Sequence, residues 1–373
     1  MPKVAVSVTN DLTTDNRVDK VCRSLQSWGF EPVLIGRQLA DSLPLERPYK
    51  TKRMRLIFIR GPLFYLEYNL RLALFLLWHK FDLLHANDLD TLGANTLVSR
   101  IKSLPLIYDS HEFYTGTPEL ASSTWKRGVW SKLEQWCMPY PVARFTVNQS
   151  IADLYIALYG KPFFVMRNIP ERSAGVVPAD RSNLNLPAEA FVMVIQGAGI
   201  NMDRGCEEFL EAMRRLDSDF HWMIIGNGDV VPRLKALTLN YELNHRVHFF
   251  PKMPYSQMMA LTATADLGLS LDKNTNINYQ FSLPNKLFDY LRAGIPVLAS
   301  DLVEIKQIVE QYQVGTCFQS HDPEILAQTI RQVRADVQTL SRWRVNAVKA
   351  ALELCWENEI EKLQEVYAPF ISG

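Results

Sequence analysis

The sequence predicts an α/β protein made of two doubly wound, Rossmann-like domains facing one another across a cleft. Three observations carry this prediction. Strand-like and helix-like segments alternate along almost the whole chain, the pattern of parallel strands joined by right-handed crossovers. The length of 373 residues exceeds one ordinary core and suits about two domains. A polar stretch with three prolines at 167–187 interrupts the alternation, which then restarts.

Each element has its own signal. VAVSVT (4–9) is a β-rich run, followed by the polar loop NDLTTDN and a helix with Val18, Val21, Leu25 and Trp28 on one stripe, stopped at Gly29. EPVLIG (31–36) and RLIFI (55–59) read as the second and third strands. An apolar helix over 62–78 leads to strand FDLLHA (81–86), a helix, strand PLIYDS (105–110), and strand VARFTVN (142–148). In the second half the strands are FVMVIQG (191–197), HWMIIG, RVHFF (246–250), DLGLSL (266–271), IPVLAS (295–300) and GTCF, each separated by a helical run. We place the first domain at 1–170, a connector at 171–187, the second domain at 188–355, and a C-terminal helix at 356–373 packing back on the first domain.

Composition narrows the class. Lys plus Arg and Asp plus Glu number 40 each, so the basic surplus of a dedicated nucleic-acid binder is missing. Five cysteines stand singly without metal or redox spacing, which fits a reducing compartment, and the N-terminus lacks the apolar core of a leader. A cytoplasmic protein is expected. Residues 62–78, PLFYLEYNLRLALFLLW, are interrupted by Glu67, Asn69 and Arg71 and do not make a membrane span. Two readings stay open for them: a largely buried helix, or an interfacial helix resting on a membrane near Arg53, Arg55, Arg60 and Arg71.

In doubly wound folds the chemistry sits in loops at the carboxyl ends of strands. The first, NDLTTDNRV, lacks the G-x-G-x-x-G of dinucleotide sites, which weakens a dehydrogenase reading. Arg17 there is a candidate for binding an anion. Asn87 and Asp88 in HANDLD either cap a helix or face the cleft, and His111 beside Glu112 ends a strand where a ligand contact is expected. In the second half, Gly197, Gly199 and Gly205 let the backbone approach a ligand, and Arg204 offers a fork for phosphate at a helix start. The turn GNGD holds Gly226 and Gly228. The run FSLPNKLFDYLRAGIPVLASD (281–301) crowds Ser282, Asn285 and Lys286 at a helix N-terminus. Asp289 lies three positions beyond Lys286, so phosphate and vicinal ribose hydroxyls could share one nucleotide diphosphate site.

The two tandem halves, the loop GINMDRG (Gly199 to Gly205) and the run PNKLFDYLRAGIPVLASD together resemble glycosyltransferase family 4, retaining sugar transferases of the GT-B fold. The YDSHE and NDLTTDNRV loops are similar to a bacterial branch that assembles polysaccharide. The resemblance implies transfer of a sugar from a nucleotide-diphosphate donor to a hydroxyl of a glycan or lipid-linked acceptor. It implies no cofactor, metal or nucleic acid, and a cytoplasmic location with peripheral contact to the inner face of the membrane through 62–78. Arg204 takes the place of the basic group on the donor diphosphate, assisted by Lys286, and Asp289 takes the second acid of the E-x7-E signature, which binds ribose. Gly226 and Gly228 match the family's turn near the nucleotide, His111 its histidine near the transferred sugar, and Glu304 an acid beyond the G-x-P-V strand.

One departure is plain: the first acid of the signature is Phe281 here. Either Ser282 or Asp272 replaces it, or the donor sugar preference differs, or the protein is an inactive scaffold. Transition-state stabilisation would come from Arg204, Lys286 and a helix N-terminus, and domain closure about the connector would exclude water. A nucleotide-sugar epimerase, a phosphorylase and a non-catalytic nucleotide-binding protein remain as alternatives.

Overall fold

The computed structural model describes residues 1–13, 15–117, 120, 123–172 and 175–371. The chain forms two compact units: Met1–Asn168 with Glu359–Gly373, and Ile169–Asn358. The first holds seven parallel strands, β1 Lys3–Asp11, β2 Glu31–Gln38, β3 Lys50–Arg55, β4 Leu83–Asn87, β5 Leu106–Ser110, β6 Ala143–Thr146 and β7 Phe164–Val165, in the order β3-β2-β1-β4-β5-β6-β7. The second holds six, β8 Phe191–Gly197, β9 Phe220–Gly226, β10 Val247–Phe250, β11 Leu267–Ser270, β12 Val297–Ser300 and β13 Gly315–Phe318, in the order β10-β9-β8-β11-β12-β13. Each sheet therefore reverses direction once, between β1 and β4 and between β8 and β11. These switch points are where such sheets bind ligands, at the strands' carboxyl ends.

Helices cover both faces, so the central strands are apolar throughout; every residue of β4 and β5 is buried. Local signals set the helix ends. Asp15 Oδ1 accepts the Val18 amide at 3.2 Å to start Asn16–Ser27, and Asn148 Oδ1 accepts Ile151 N–H at 2.9 Å to start Gln149–Tyr159, which ends on left-handed Gly160.

The structure corrects three expectations. The third strand is the polar Lys50–Arg55 run rather than 55–59, because it lies at the sheet edge, where polar side chains reach water. The Glu67 carboxylate accepts the Ile57 and Phe58 amides at 3.0 and 2.9 Å, holding those residues off the sheet. The expected connector at 171–187 belongs to the second unit, where Arg181 donates to the Thr264 and Ala190 carbonyls and pairs with Asp266. The units divide at Asn168/Ile169 and again at Asn358/Glu359. The C-terminal segment is tied into the first unit by Arg167–Glu359 (2.7 Å) and by the Tyr367 hydroxyl at 2.8 Å from His85 Nδ1.

The Pro62–Trp78 helix is apolar on two faces. Phe64, Tyr68, Leu72 and Leu76 are buried, while Leu63, Leu66, Leu70 and Leu74 form a second stripe, exposed to water. The helix is thus buried on one face only. Among the described residues no helix is long and apolar enough to cross a membrane.

Candidate active site

At the switch point of the second sheet, the loop after β8 carries Arg204 and the loop after β11 carries Asp272. Arg204 Nη1 lies 2.7 Å from Asp272 Oδ1, and Lys286 Nζ lies 3.7 Å from the same oxygen. Asp272 is fully buried. Burial opposes its ionisation, but Lys286 and then Arg204 outweigh it and hold the carboxyl below the usual range. Two cations thus share one anion, and one positive charge is left over. Arg204 Nε and Asp272 Oδ2 have no hydrogen-bond partner among the described residues. The guanidinium lies over the Tyr279 ring, 4.5 Å from its centroid, which fixes its plane.

Two helix N-termini open here: Cys206–Met213 behind Gly205, and Asn285–Arg292 behind Pro284. Neither has a side-chain cap; in the second, Leu287 N–H donates to Pro284 O at 3.0 Å, and the Asn285 and Lys286 amides are left for an anion. Leu287, Phe288 and Leu291 anchor the second helix in the core and so hold Lys286, its second residue, in place.

The glycines serve two purposes. A Cβ on Gly226 would lie 1.9 Å from the Gly197 carbonyl oxygen, and one on Gly228 1.9 Å from that of Ile200. Both are needed because the loops after β8 and β9 interlock, Ile200 N–H donating to Asn227 O at 3.0 Å. Gly197 (φ +153°) lies on the other side of that interlock. Gly205 combines φ +69° with a Cβ position 2.4 Å from Leu271 O, bringing Arg204 up to the end of β11. Gly199 meets only Asn201 Nδ2, at 3.6 Å, and leaves open space.

The other expected site residues of this unit make contacts within the protein. Asp289 is 8% exposed, and its carboxylate accepts Gln196 Nε2 at 2.9 Å and the Tyr255 hydroxyl at 2.6 Å. Thr262 donates to Gln196 in turn. The side chain that was expected on a ribose is thus the centre of an interior network. Glu304 is buried in the first turn of Val303–Tyr312. Ser282 donates its amide to Tyr279 O at 3.1 Å, and Asn285 is the first residue of the Lys286 helix. Asp272, one of the expected stand-ins for the acid missing at Phe281, is committed to the two cations.

The first sheet carries a second cluster. Arg17 does not stand open for an anion: it is 4% exposed, its Nε and Nη2 grip Asp109 at 3.1 and 2.8 Å, and its Nη1 donates to Met166 O at 2.9 Å. His111 Nδ1 lies 3.3 Å from Asp88 Oδ2 and Nε2 3.4 Å from Asp109 Oδ2, while its amide donates to Asp88 Oδ1 at 2.8 Å. Burial disfavours a charged ring, yet Asp88 and then Asp109 overcome it and push His111 up to about 9. Asp109 goes the other way: Arg17 and His111 outweigh its burial and hold it well below the carboxylate range. Asp88 sits at φ +58°, a conformation costly for a residue with a Cβ, and burial raises its carboxyl. Asp90 beside it is pushed up to about 8 by burial and by the Asp88 charge, against a 2.5 Å hydrogen bond from Thr9. Asn87 is buried, donating to Ser7 O at 3.1 Å, whereas the Glu112 side chain is exposed.

Sequence reasoning did not pair Arg17 with Asp109, and it missed Tyr279 and Asp90. The acids had a usable signal, since Asp90, Asp109 and Asp272 all stand at or just beyond the carboxyl ends of apolar strands. Tyr279 had none.

Two sheets of this topology with cations at the second switch point define the architecture of the GT-B glycosyltransferases. The fold is similar to that of sucrose-phosphate synthase from Thermosynechococcus elongatus (TM-score 0.81, 15% identity, all of both chains). It is also similar to Anabaena HepE in complex with UDP and glucose (TM-score 0.76, 15% identity, 99% and 100% of the chains). Residues 177–350 match the family model described as glycosyl transferases group 1, and residues 15–169 match that of glycosyltransferase family 4. The chain belongs to glycosyltransferase family 4. Among curated proteins it is similar to D-inositol 3-phosphate glycosyltransferases of Corynebacterium diphtheriae and Catenulispora acidiphila. The first is 26% identical over 50% of this chain and 44% of its own length, the second 22% over 79% and 73%. Less than half of the first relative is thus matched.

Proposed function

We propose that the protein transfers a sugar, with retention, from a nucleoside-diphosphate sugar to a hydroxyl of a glycan or lipid-linked acceptor during glycan synthesis. The observation that carries this reading is the unspent positive charge where Arg204 and Lys286 share Asp272. Breaking the glycosidic bond to the donor leaves a nucleoside diphosphate, whose bridging oxygen gains negative charge in the transition state. Arg204, Lys286 and two uncapped helix N-termini are fixed before the reaction begins, so they stabilise that charge without reorganising. These groups offset part of the diphosphate's charge. His111, held as a charged donor by two carboxylates, suits a sugar hydroxyl.

The work is expected at the cytoplasmic face of the membrane. The outward Leu63, Leu66, Leu70 and Leu74 stripe supports peripheral contact there, since an apolar face of this kind rests readily at a lipid interface. Incubation with a panel of nucleotide sugars, with and without acceptor, tests the assignment. Transfer of sugar to acceptor is expected. Conversion of the sugar by the protein with donor alone would replace this reading with an epimerase.

A further inference from the structure

The first unit contains an apolar cavity of about 1100 Å³, open along the surface between the Pro62–Trp78 and Thr124–Cys137 helices. Gly93, Ala94 and Leu97 of the Leu89–Lys102 helix contribute to it from a third side. Its lining reaches the carboxyl ends of β1 and β4 at Thr9, Asn87 and Asp90, and so meets the His111 cluster through Asp88.

Leu66, Leu70, Trp125 and Val129 line this groove and are each at least half exposed. A contiguous apolar surface of this kind marks a binding site rather than an ordinary exterior. The groove is held open by specific contacts. Asn69 fastens its helix to the next one, Nδ2 donating to Asp90 O at 2.7 Å and Oδ1 accepting Ala94 N–H at 3.2 Å. Tyr65 and Tyr114 both pack against Trp130, with centroids 5.0 and 5.1 Å apart. From Phe64 to Ala73 the wall runs for roughly 14 Å at the rise of an α-helix.

Charge says what belongs at one part of the groove. Arg37, Arg60 and Lys126 line it, and none has an ion-pair partner among the described residues. The Arg37 guanidinium lies 4.8 Å from the Phe64 ring centroid, and its buried Nε lacks a hydrogen-bond partner. Cations beside an apolar trench fit an anionic head joined to a hydrocarbon tail.

We propose that this groove binds the acceptor's lipid: a single long hydrocarbon chain carrying a phosphate. The phosphate sits at Arg37 and Arg60, and the tail lies between the two helices against Leu70 and Val129. The proposal rests on the transferase reading and names its acceptor class. Each methylene moved from water onto these walls strengthens binding, so affinity should rise with chain length.

Calorimetry on the full chain tests it, using farnesyl phosphate below its micellar concentration, with glycerol 3-phosphate and farnesol as separate arms. Saturable one-to-one binding of farnesyl phosphate is expected, with glycerol 3-phosphate at least about a hundredfold weaker, because it keeps the phosphate and lacks the tail. Leu70→Glu and Val129→Glu, at exposed positions that leave the core intact, should each weaken binding about tenfold or more. Arg37→Gln should weaken farnesyl phosphate but not farnesol, and Leu352→Glu on the second unit should change nothing. Equal affinity in the groove variants would overturn the proposal, as would binding only to vesicles, or self-association through this face without lipid binding. UDP is titrated in parallel into the unaltered protein. Loss of UDP binding with farnesyl phosphate retained would refute the donor site, while the reverse would refute the groove.

Discussion

At the carboxyl end of the second sheet, Arg204 and Lys286 share one buried carboxylate, Asp272. At that of the first, Arg17 is locked in a two-pronged pair with Asp109, and His111 lies between Asp109 and Asp88. The residue types and topological places are nearly the same, yet the charge count differs. The second cluster has one cation more than it has anions, whereas in the first every cation faces a carboxylate. An arginine in a strand-end loop therefore signals phosphate binding only where its counter-charges leave it unspent. Arg204 meets that test and Arg17 does not.

The contrast can be broken most sharply through Arg17. Removing it leaves Asp109 buried without its main partner, so Arg17→Ala should cost about 3–5 kcal/mol of stability, measured by denaturant unfolding. A loss under about 1 kcal/mol would mean the pair is not structural. Arg204→Ala leaves Asp272 the Lys286 charge, the larger of its two, so it should cost less stability than Arg17→Ala while lowering turnover about 10²–10³-fold, as read in a sugar-transfer assay. Equal turnover would place the diphosphate elsewhere.

The glycines sharpen the picture within the second unit. Gly228→Ala forces a Cβ against the Ile200 carbonyl and should destabilise by about 1–3 kcal/mol, while Gly199→Ala, with room around it, should stay within about 0.5 kcal/mol. Thermal unfolding of both variants distinguishes the interlocking glycine from the open one.

The most gradual effect is a pH slope. His111 titrates near 6.5 when unfolded and near 9 when folded, so its contribution is fully present below pH 6.5 and is lost as pH rises through about 9. Stability should fall across that window by up to about 1.4 kcal/mol per pH unit, and His111→Gln should flatten the slope. A slope unchanged by His111→Gln would assign it to another group.

Much of the fold was legible because strand–helix alternation is a local pattern. The order of the strands is not local, and that order brings the loop after β8 to the loop after β11. Arg204 and Lys286 could therefore be read from their loops, but their shared carboxylate could only be offered as one stand-in for a missing acid. Asp289 shows what spacing alone leaves out. Its spacing from Lys286 implied a common site, yet Gln196 and Tyr255, 93 and 34 residues away in sequence, claim its carboxylate. The 62–78 helix looked buried or interfacial by composition, and it carries one buried face, Phe64, Tyr68, Leu72 and Leu76, beside an exposed leucine stripe.

The account's central claim is that Arg204 and Lys286 hold the donor diphosphate with charge that Asp272 leaves unspent. Calorimetric titration of UDP into the unaltered protein, Arg204→Ala and Lys286→Ala, each at low and high salt, tests it most directly. The account predicts saturable binding that weakens with salt, reduced about tenfold or more in each variant, the loss expected for a charge-assisted hydrogen bond. UDP affinity unchanged in both variants, or absent from the unaltered protein, would contradict it.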